Sequence, residues 1–162
     1  MNYIGFNTYD TANGPGIRVS LFVSGCTLHC KGCFNQESWD FNAGKPFLFE
    51  DYRNLFKALD NEYIAGLSIL GGDPFEEPNK PIVHGIVQEF RNKFKDTKTI
   101  WIWTGRKYDN LIKDIFSAAI IELCDVIVDG PFIEHLKVNP AEHKYFGSSN
   151  QRVIYLKKEP IS

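Results

Sequence analysis

The sequence predicts an α/β fold, either an incomplete (β/α) barrel or an open, mostly parallel sheet. Two observations carry that expectation. Short apolar runs rich in β-branched and aromatic residues alternate with stretches whose apolar residues recur at helical spacing. Nearly every run ends in a glycine-containing turn, and the 162 residues fall short of the roughly 200 that a full eight-unit barrel needs.

The elements follow in order. MNYIGF offers an opening strand, and IRVSLFVSG (17–25) is a stronger one. After a long loop, FEDYRNLFKALD sets Tyr52, Leu55, Phe56 and Leu59 at helical spacing. AGLSILGGDP (65–74) reads as strand and turn. PIVHGIVQEFRNKF (81–94) places Val83, Ile86, Val87, Phe90 and Phe94 on one face, and Pro81 suits a first helical turn. TIWIWTG (99–105) is the next strand, and Tyr108, Leu111, Ile112, Ile115, Phe116 and Ala119 form a third helical stripe. CDVIVDGP (124–131) and QRVIYLKK (151–158) complete the strands. Alternating strands and helices imply parallel pairing with right-handed crossovers. Such a layout gathers the strand-to-helix turns at one edge, where α/β proteins bind ligands. GCTLHCKGCFN, GGDPF, WTGRK and DGPF are therefore expected to converge.

Composition narrows the function. Hydrophobic residues make up 43% and charged residues 23%, with a net charge of −2, as in one globular domain spanning 1–162. Nothing in that charge calls for nucleic acid or an anionic membrane. The most apolar run, SAAIIELCDVIV, is interrupted by Glu122 and Asp125, far from the roughly 18 apolar residues of a membrane helix. MNYIGFNTYDT lacks the basic start and long apolar stretch of a secretion signal. The expectation is a soluble cytoplasmic protein whose thiols stay reduced, so clustered cysteines bind metal or do redox work.

Three of the four cysteines, Cys26, Cys30 and Cys33, lie in one loop with Cys-x3-Cys-x2-Cys spacing. Three thiolates can wrap one inorganic core, and an iron–sulfur cluster so held keeps one iron free of protein ligands. Zinc is an alternative if His29 joins the thiols, although adjacent residues such as His29 and Cys30 rarely aim at one tetrahedral ion. A redox dithiol is another. Cys124 begins a strand at the opposite edge and reads as a buried inert thiol rather than a fourth ligand. In GGDPF, Gly71 and Gly72 let the backbone approach a ligand, and Asp73 supplies a carboxylate for an amine or hydroxyl; an ordinary turn explains the same residues. NGPGIR (13–18) is a tight turn, and FGSSNQR (146–152) is a polar loop or a contact to a substrate or partner. His84, His135 and His143 form no ligand pattern, and the sequence shows no catalytic triad or carboxylate pair.

The stretch Gly14-x-Gly16-x-Arg18-x3-Phe22-x2-Gly25-Cys26-x3-Cys30-x2-Cys33-x-Asn35 resembles the signature of the radical S-adenosylmethionine activating enzymes of glycyl-radical proteins. GGDPF, WIWTG, DVIVDGPF and GSSNQR extend the resemblance over most of the chain. It implies a fold of the radical S-adenosylmethionine type and a 4Fe–4S cluster on Cys26, Cys30 and Cys33, whose open iron takes the amino and carboxylate groups of S-adenosylmethionine. It implies reductive cleavage to methionine and a 5′-deoxyadenosyl radical, which abstracts hydrogen from a backbone glycine, with no catalytic residue beyond the cluster and the cofactor. The implied partners are the large subunit of an anaerobic ribonucleoside-triphosphate reductase and an electron donor such as a flavodoxin. Gly71, Gly72 and Asp73 match the family's Gly-Gly-Glu element near the methionine amino group, with Asp73 in place of the usual Glu. Gly32 stands where many members carry an aromatic residue, so adenine is expected on the Gly32–Cys33–Phe34 backbone, with Phe34 nearby. Thr104 and Asp129 are expected around the site, and 133–150 is a partner surface by its polarity. Activation of another glycyl-radical enzyme, or a non-catalytic zinc-binding module, are the alternatives.

Overall fold

The structure is a computed structural model and describes residues 1–157. Strands β1 (Asn2–Asp10), β2 (Ile17–Val23), β3 (Lys45–Pro46), β4 (Ile64–Gly71), β5 (Thr99–Trp103), β6 (Val126–Asp129) and β7 (Arg152–Tyr155) form one open sheet in the order β3-β1-β2-β4-β5-β6-β7. The central four, β2, β4, β5 and β6, run parallel, whereas β1, β3 and β7 pair antiparallel at the two flanks. Of the two expected forms, the described residues adopt the open sheet. Lys158, the last residue of the expected final strand, lies outside the described residues.

Strand alternation divides the sheet into two different faces. Val19, Leu21, Val23, Leu67, Ile69, Ile100, Ile102 and Ile127 point to one side and share a core with the helices. Those helices are α1 (Phe49–Leu59), α2 (Lys80–Phe94), α3 (Tyr108–Leu111) and α4 (Ile115–Glu122). Their buried positions include Leu55 and Leu59 of α1, Val83, Ile86 and Phe90 of α2, and Ile120 and Ile121 of α4. The alternate strand residues turn the other way, and there Trp101, Val126 and Val128 pack under Trp103, Tyr145 and Phe146. That second face is covered by irregular chain, which leaves room for a cavity.

Local chemistry sets the helix starts. The α1 entry is fixed by Asp51, which accepts the Leu48 N–H at 2.9 Å and the Tyr3 hydroxyl at 2.5 Å, tying the helix to β1. Pro81 lies in the first turn of α2 as expected. Asp114 caps α4 by accepting the Ser117 N–H at 3.0 Å. That cap corrects the third helical stripe. A single helix from Tyr108 to Ala119 is replaced by two short ones, because the chain turns at Ile112–Asp114 and restarts at the cap. Ile112 and Phe116 are left exposed and Ile115 is 90% exposed, while Leu111, Ile120 and Ile121 are buried. No helix among the described residues is long and apolar enough to cross a membrane.

Truncation at the two ends of α4 separates these readings. Ile120→Ala should cost about 2–5 kcal/mol in urea unfolding. Ile115→Ala should change stability by no more than about 0.5 kcal/mol. Equal losses would restore the continuous stripe.

Candidate functional site

The C-terminal ends of β2, β4, β5 and β6 open onto one cavity of about 410 Å³. Cys26, Cys30, Cys33, Phe34, Gly71, Gly72, Thr104, Gly105 and Gly130 all border it, so the four expected turns do converge. Phe22, Leu70 and Trp103 carry its wall down the helix-free face of the sheet toward Asn13. Gly32 and Asp73 are not part of the wall.

The parallel ladder between β2 and β4 continues into the turns. The Gly72 N–H donates to the Val23 carbonyl and the Asp73 N–H to the Gly25 carbonyl, both at 2.8 Å. A Cβ on Gly71 would lie 2.5 Å from the Val23 oxygen, and one on Gly72 would lie 2.5 Å from the Gly25 oxygen. The paired glycines therefore let the root of the cysteine loop dock against the turn, a closer reason for them than approach to a ligand.

Asp73 was expected to present its carboxylate to a bound amine. Instead it is 0% exposed and engaged inside the fold. It accepts the Phe75 N–H at 2.9 Å and the Gly105 N–H at 3.0 Å, and the Thr104 hydroxyl lies 2.9 and 3.0 Å from its two oxygens. Arg106 Nη1 makes a charge contact with it at 2.9 Å. Burial pushes the Asp73 carboxyl up, and Arg106 and these hydrogen bonds pull against it. Arg106 also reaches Glu76 Oε1 at 2.9 Å, and that oxygen accepts the Thr27 N–H at 2.7 Å and its hydroxyl at 2.8 Å. The chain of contacts runs from the β5 turn through the β4 turn into the cysteine loop. Neither Arg106 nor Glu76 is singled out by the sequence. The only sequence signals were their positions within the WTGRK turn and one residue beyond GGDPF.

All four cysteines are free thiols. Cys26 is buried, with its N–H on the Trp39 carbonyl at 3.1 Å, and burial pushes its thiol up. Cys30 and Cys33 are half-buried farther out in the loop. Among the described residues, no three His, Cys, Asp or Glu side chains are gathered tightly enough to hold a metal ion. His29 stacks on Trp39 at 4.5 Å and 8° and is not on the cavity wall, which leaves a three-cysteine, one-histidine zinc set without support. Phe34 is 61% exposed, packs against Phe132 at 5.2 Å and lies beneath the Lys137 ammonium. Gly32 has a φ of +77°, and a Cβ there would press on Glu134, so its glycine serves the loop's path. Cys124 is fully buried, donates to the Ile120 carbonyl at 3.3 Å and has its pKa pushed up to about 12 by burial, as an inert thiol should.

The polar tail motif closes the cavity's far side. Gln151 Oε1 accepts the Gly147 and Ser148 N–H groups, and its amide donates to the Gly130 carbonyl at 2.9 Å. Arg152 grips the buried Asp129 at 3.0 and 2.5 Å. Gln151 and Arg152 of the motif thus hold the β6–β7 connection in place, and Asp129 serves that clamp.

Comparison with known proteins gives this geometry a family. A family profile described as a 4Fe-4S single cluster domain matches residues 12–154. The anaerobic ribonucleoside-triphosphate reductase-activating protein of Escherichia coli K12 is 39% identical over 159 residues, covering 97% of this chain and 100% of the relative. The proteins of that name from enterobacteria phage T4 (37% over 153 residues, 94% and 93% covered) and Haemophilus influenzae (41% over 155 residues, 93% and 96% covered) are similarly close. The chain belongs to the anaerobic ribonucleoside-triphosphate reductase-activating protein family. Its three-cysteine loop lies within the 4Fe-4S match, and free thiols on one cavity wall are the donor chemistry that such a cluster takes.

In this member of the activating-protein family the NGPGIR motif makes the floor beneath the cavity. Arg18 is fully buried and donates to Ser68 Oγ, Thr99 Oγ1 and the carbonyls of Pro15, Leu67 and Thr99. Burial lowers its pKa to about 10. Asp10 secures the loop above it by accepting the Ala12 N–H at 2.8 Å, Asn13 Nδ2 at 2.6 Å and the Ser20 hydroxyl at 2.5 Å. Burial works to raise the Asp10 pKa, but those donors outweigh it and hold it below the ordinary range. A depressed carboxyl adds stability above its unfolded pKa of about 3.9 and loses it as pH falls through the lower folded value. Asp10→Asn should therefore cost about 1–3 kcal/mol in urea unfolding at pH 7, a gap that narrows as pH falls below the unfolded pKa of about 3.9. A gap independent of pH would contradict the assignment.

Proposed function

We propose that this protein is a radical S-adenosylmethionine activase that generates a glycyl radical on the large subunit of an anaerobic ribonucleoside-triphosphate reductase. The observation that carries the reading is the cavity: Cys26, Cys30, Cys33, Phe34 and the Gly71–Gly72 backbone border a single space at the strand ends. Cys26, Cys30 and Cys33 would hold the 4Fe–4S cluster, and three protein thiolates leave one iron for S-adenosylmethionine. When bound, the cluster and S-adenosylmethionine together supply one-electron reductive cleavage to methionine and a 5′-deoxyadenosyl radical.

The chain's own residues place and shield. Gly71 and Gly72 offer backbone groups at the cavity wall, and Phe34 offers an aromatic face for adenine. Asp73 acts from inside the turn rather than as a ligand contact, and Gly32 acts through its backbone angle. Phe22, Leu70 and Trp103 give the cavity an apolar lower wall suited to keeping water from a reactive radical. The same reading includes a fold of the radical S-adenosylmethionine type, with the sheet open. The names of the relatives favour the reductase as protein substrate over another glycyl-radical enzyme. An external one-electron donor, such as a flavodoxin, completes the reaction.

Oxygen-free reconstitution with iron and sulfide should yield a brown protein that cleaves S-adenosylmethionine when reduced. Mixed with the large reductase subunit, it should produce a glycine-centred signal in electron paramagnetic resonance. Cys30→Ser should bring cleavage down to background; cleavage by that variant at the wild-type rate would remove the cluster assignment. Competent cleavage without a glycine-centred signal would remove the reductase as substrate.

A further inference from the structure

The three cysteines are not held alike. Cys33 has local contacts: its N–H donates to the Cys30 carbonyl at 3.1 Å and its Sγ accepts the Asn35 N–H at 3.4 Å. Cys26 is fastened on both sides. Gly25 and Cys26 donate to the Ser38 and Trp39 carbonyls at 2.7 and 3.1 Å, and Asn79 Nδ2 donates to the Ser24 carbonyl at 2.9 Å. The next residue, Thr27, delivers both its N–H and its hydroxyl to one oxygen, Glu76 Oε1, which Arg106 also approaches. Glu76 is buried, and so is Asp73. One guanidinium, Arg106, faces two carboxylates here, Asp73 and Glu76.

Resting on the reading that Cys26, Cys30 and Cys33 hold a cluster, we infer that Glu76 is a positioning residue with two effects: it fixes the Cys26 corner of the site and its charge holds the cluster's reduction potential low. The first effect is geometric. Removing the acceptor leaves the Thr27 N–H without its partner, and the loop's first turn loses its tie to the β4 turn. The second is electrostatic. Reduction adds a negative charge to the site, and a nearby carboxylate in a partly desolvated setting opposes it. A low potential suits a site whose electron must pass to a sulfonium.

Two variants separate the effects. Glu76→Gln keeps an oxygen for Thr27 and removes the charge; Glu76→Ala removes both. In metal-free protein, Glu76→Ala should speed hydrogen exchange at the Thr27 amide by about 10–100-fold while the β2 amides stay as in wild type. In reconstituted protein, Glu76→Gln should shift the cluster midpoint to more positive potential, read by titration with electron paramagnetic resonance. Asp51→Asn, whose carboxylate serves Tyr3 and Leu48 instead, should leave the midpoint where it is. A Glu76→Gln midpoint that stays put or moves negative overturns the electrostatic effect. Wild-type exchange at Thr27 in Glu76→Ala overturns the positioning. A wild-type protein that takes up no iron overturns the cluster reading, and the inferred control of potential falls with it.

Discussion

The buried carboxylate of Asp73 is the constraint on which the site depends. An isolated carboxylate in a protein interior costs several kcal/mol, so its surroundings must satisfy it closely. Here the satisfying groups come from its own turn and the next, through Phe75, Thr104, Gly105 and Arg106. Neither turn can shift without leaving that charge unpaired. Arg106 then extends the tie to Glu76, and Glu76 extends it to Thr27 beside Cys26. Loops with no regular structure thereby acquire a fixed relation to one another, which a site needs before anything binds.

The sheet supplies the other half. Its four central parallel strands carry helices on one face only, and the apolar residues at Val19, Leu21, Leu67, Ile69, Ile100 and Ile102 bind that face to the helices. The opposite face is closed below by the buried Arg18 network and at one side by the Gln151–Arg152 clamp. It stays open at the strand ends where the cysteines lie. On the proposed function, a protein substrate that brings a backbone glycine to such an opening would complete its enclosure.

Much of this was legible in the sequence because strand–helix alternation fixes where turns must go. The strands, the helices on 49–59 and 80–94, and the meeting of the four turns follow from patterns of hydrophobicity and glycine. The cysteine loop stands out for the same reason, since Cys26, Cys30 and Cys33 are neighbours in the sequence itself. What escaped was contact between distant side chains. Arg106 and Glu76 are ordinary charged residues in ordinary turns until folding brings them 2.9 Å apart. The stripe across 108–119 misled because its periodicity ignored Asp114, a residue whose capping bond outweighs continuation of a short helix. A carboxylate in a glycine turn looks available to a ligand, and the Thr104, Gly105 and Arg106 partners of the Asp73 oxygens are residues that only the fold brings near.

The most direct test compares thermal unfolding of metal-free wild type and Asp73→Asn, with no cofactor present. An amide in that position turns donors toward the Gly105 N–H and Arg106 and breaks a buried charge pair. The expected result is a fall in Tm of roughly 10 °C for a chain of this size. An unchanged Tm together with lost S-adenosylmethionine binding by the reconstituted variant would contradict an internal clamp and make Asp73 a ligand contact.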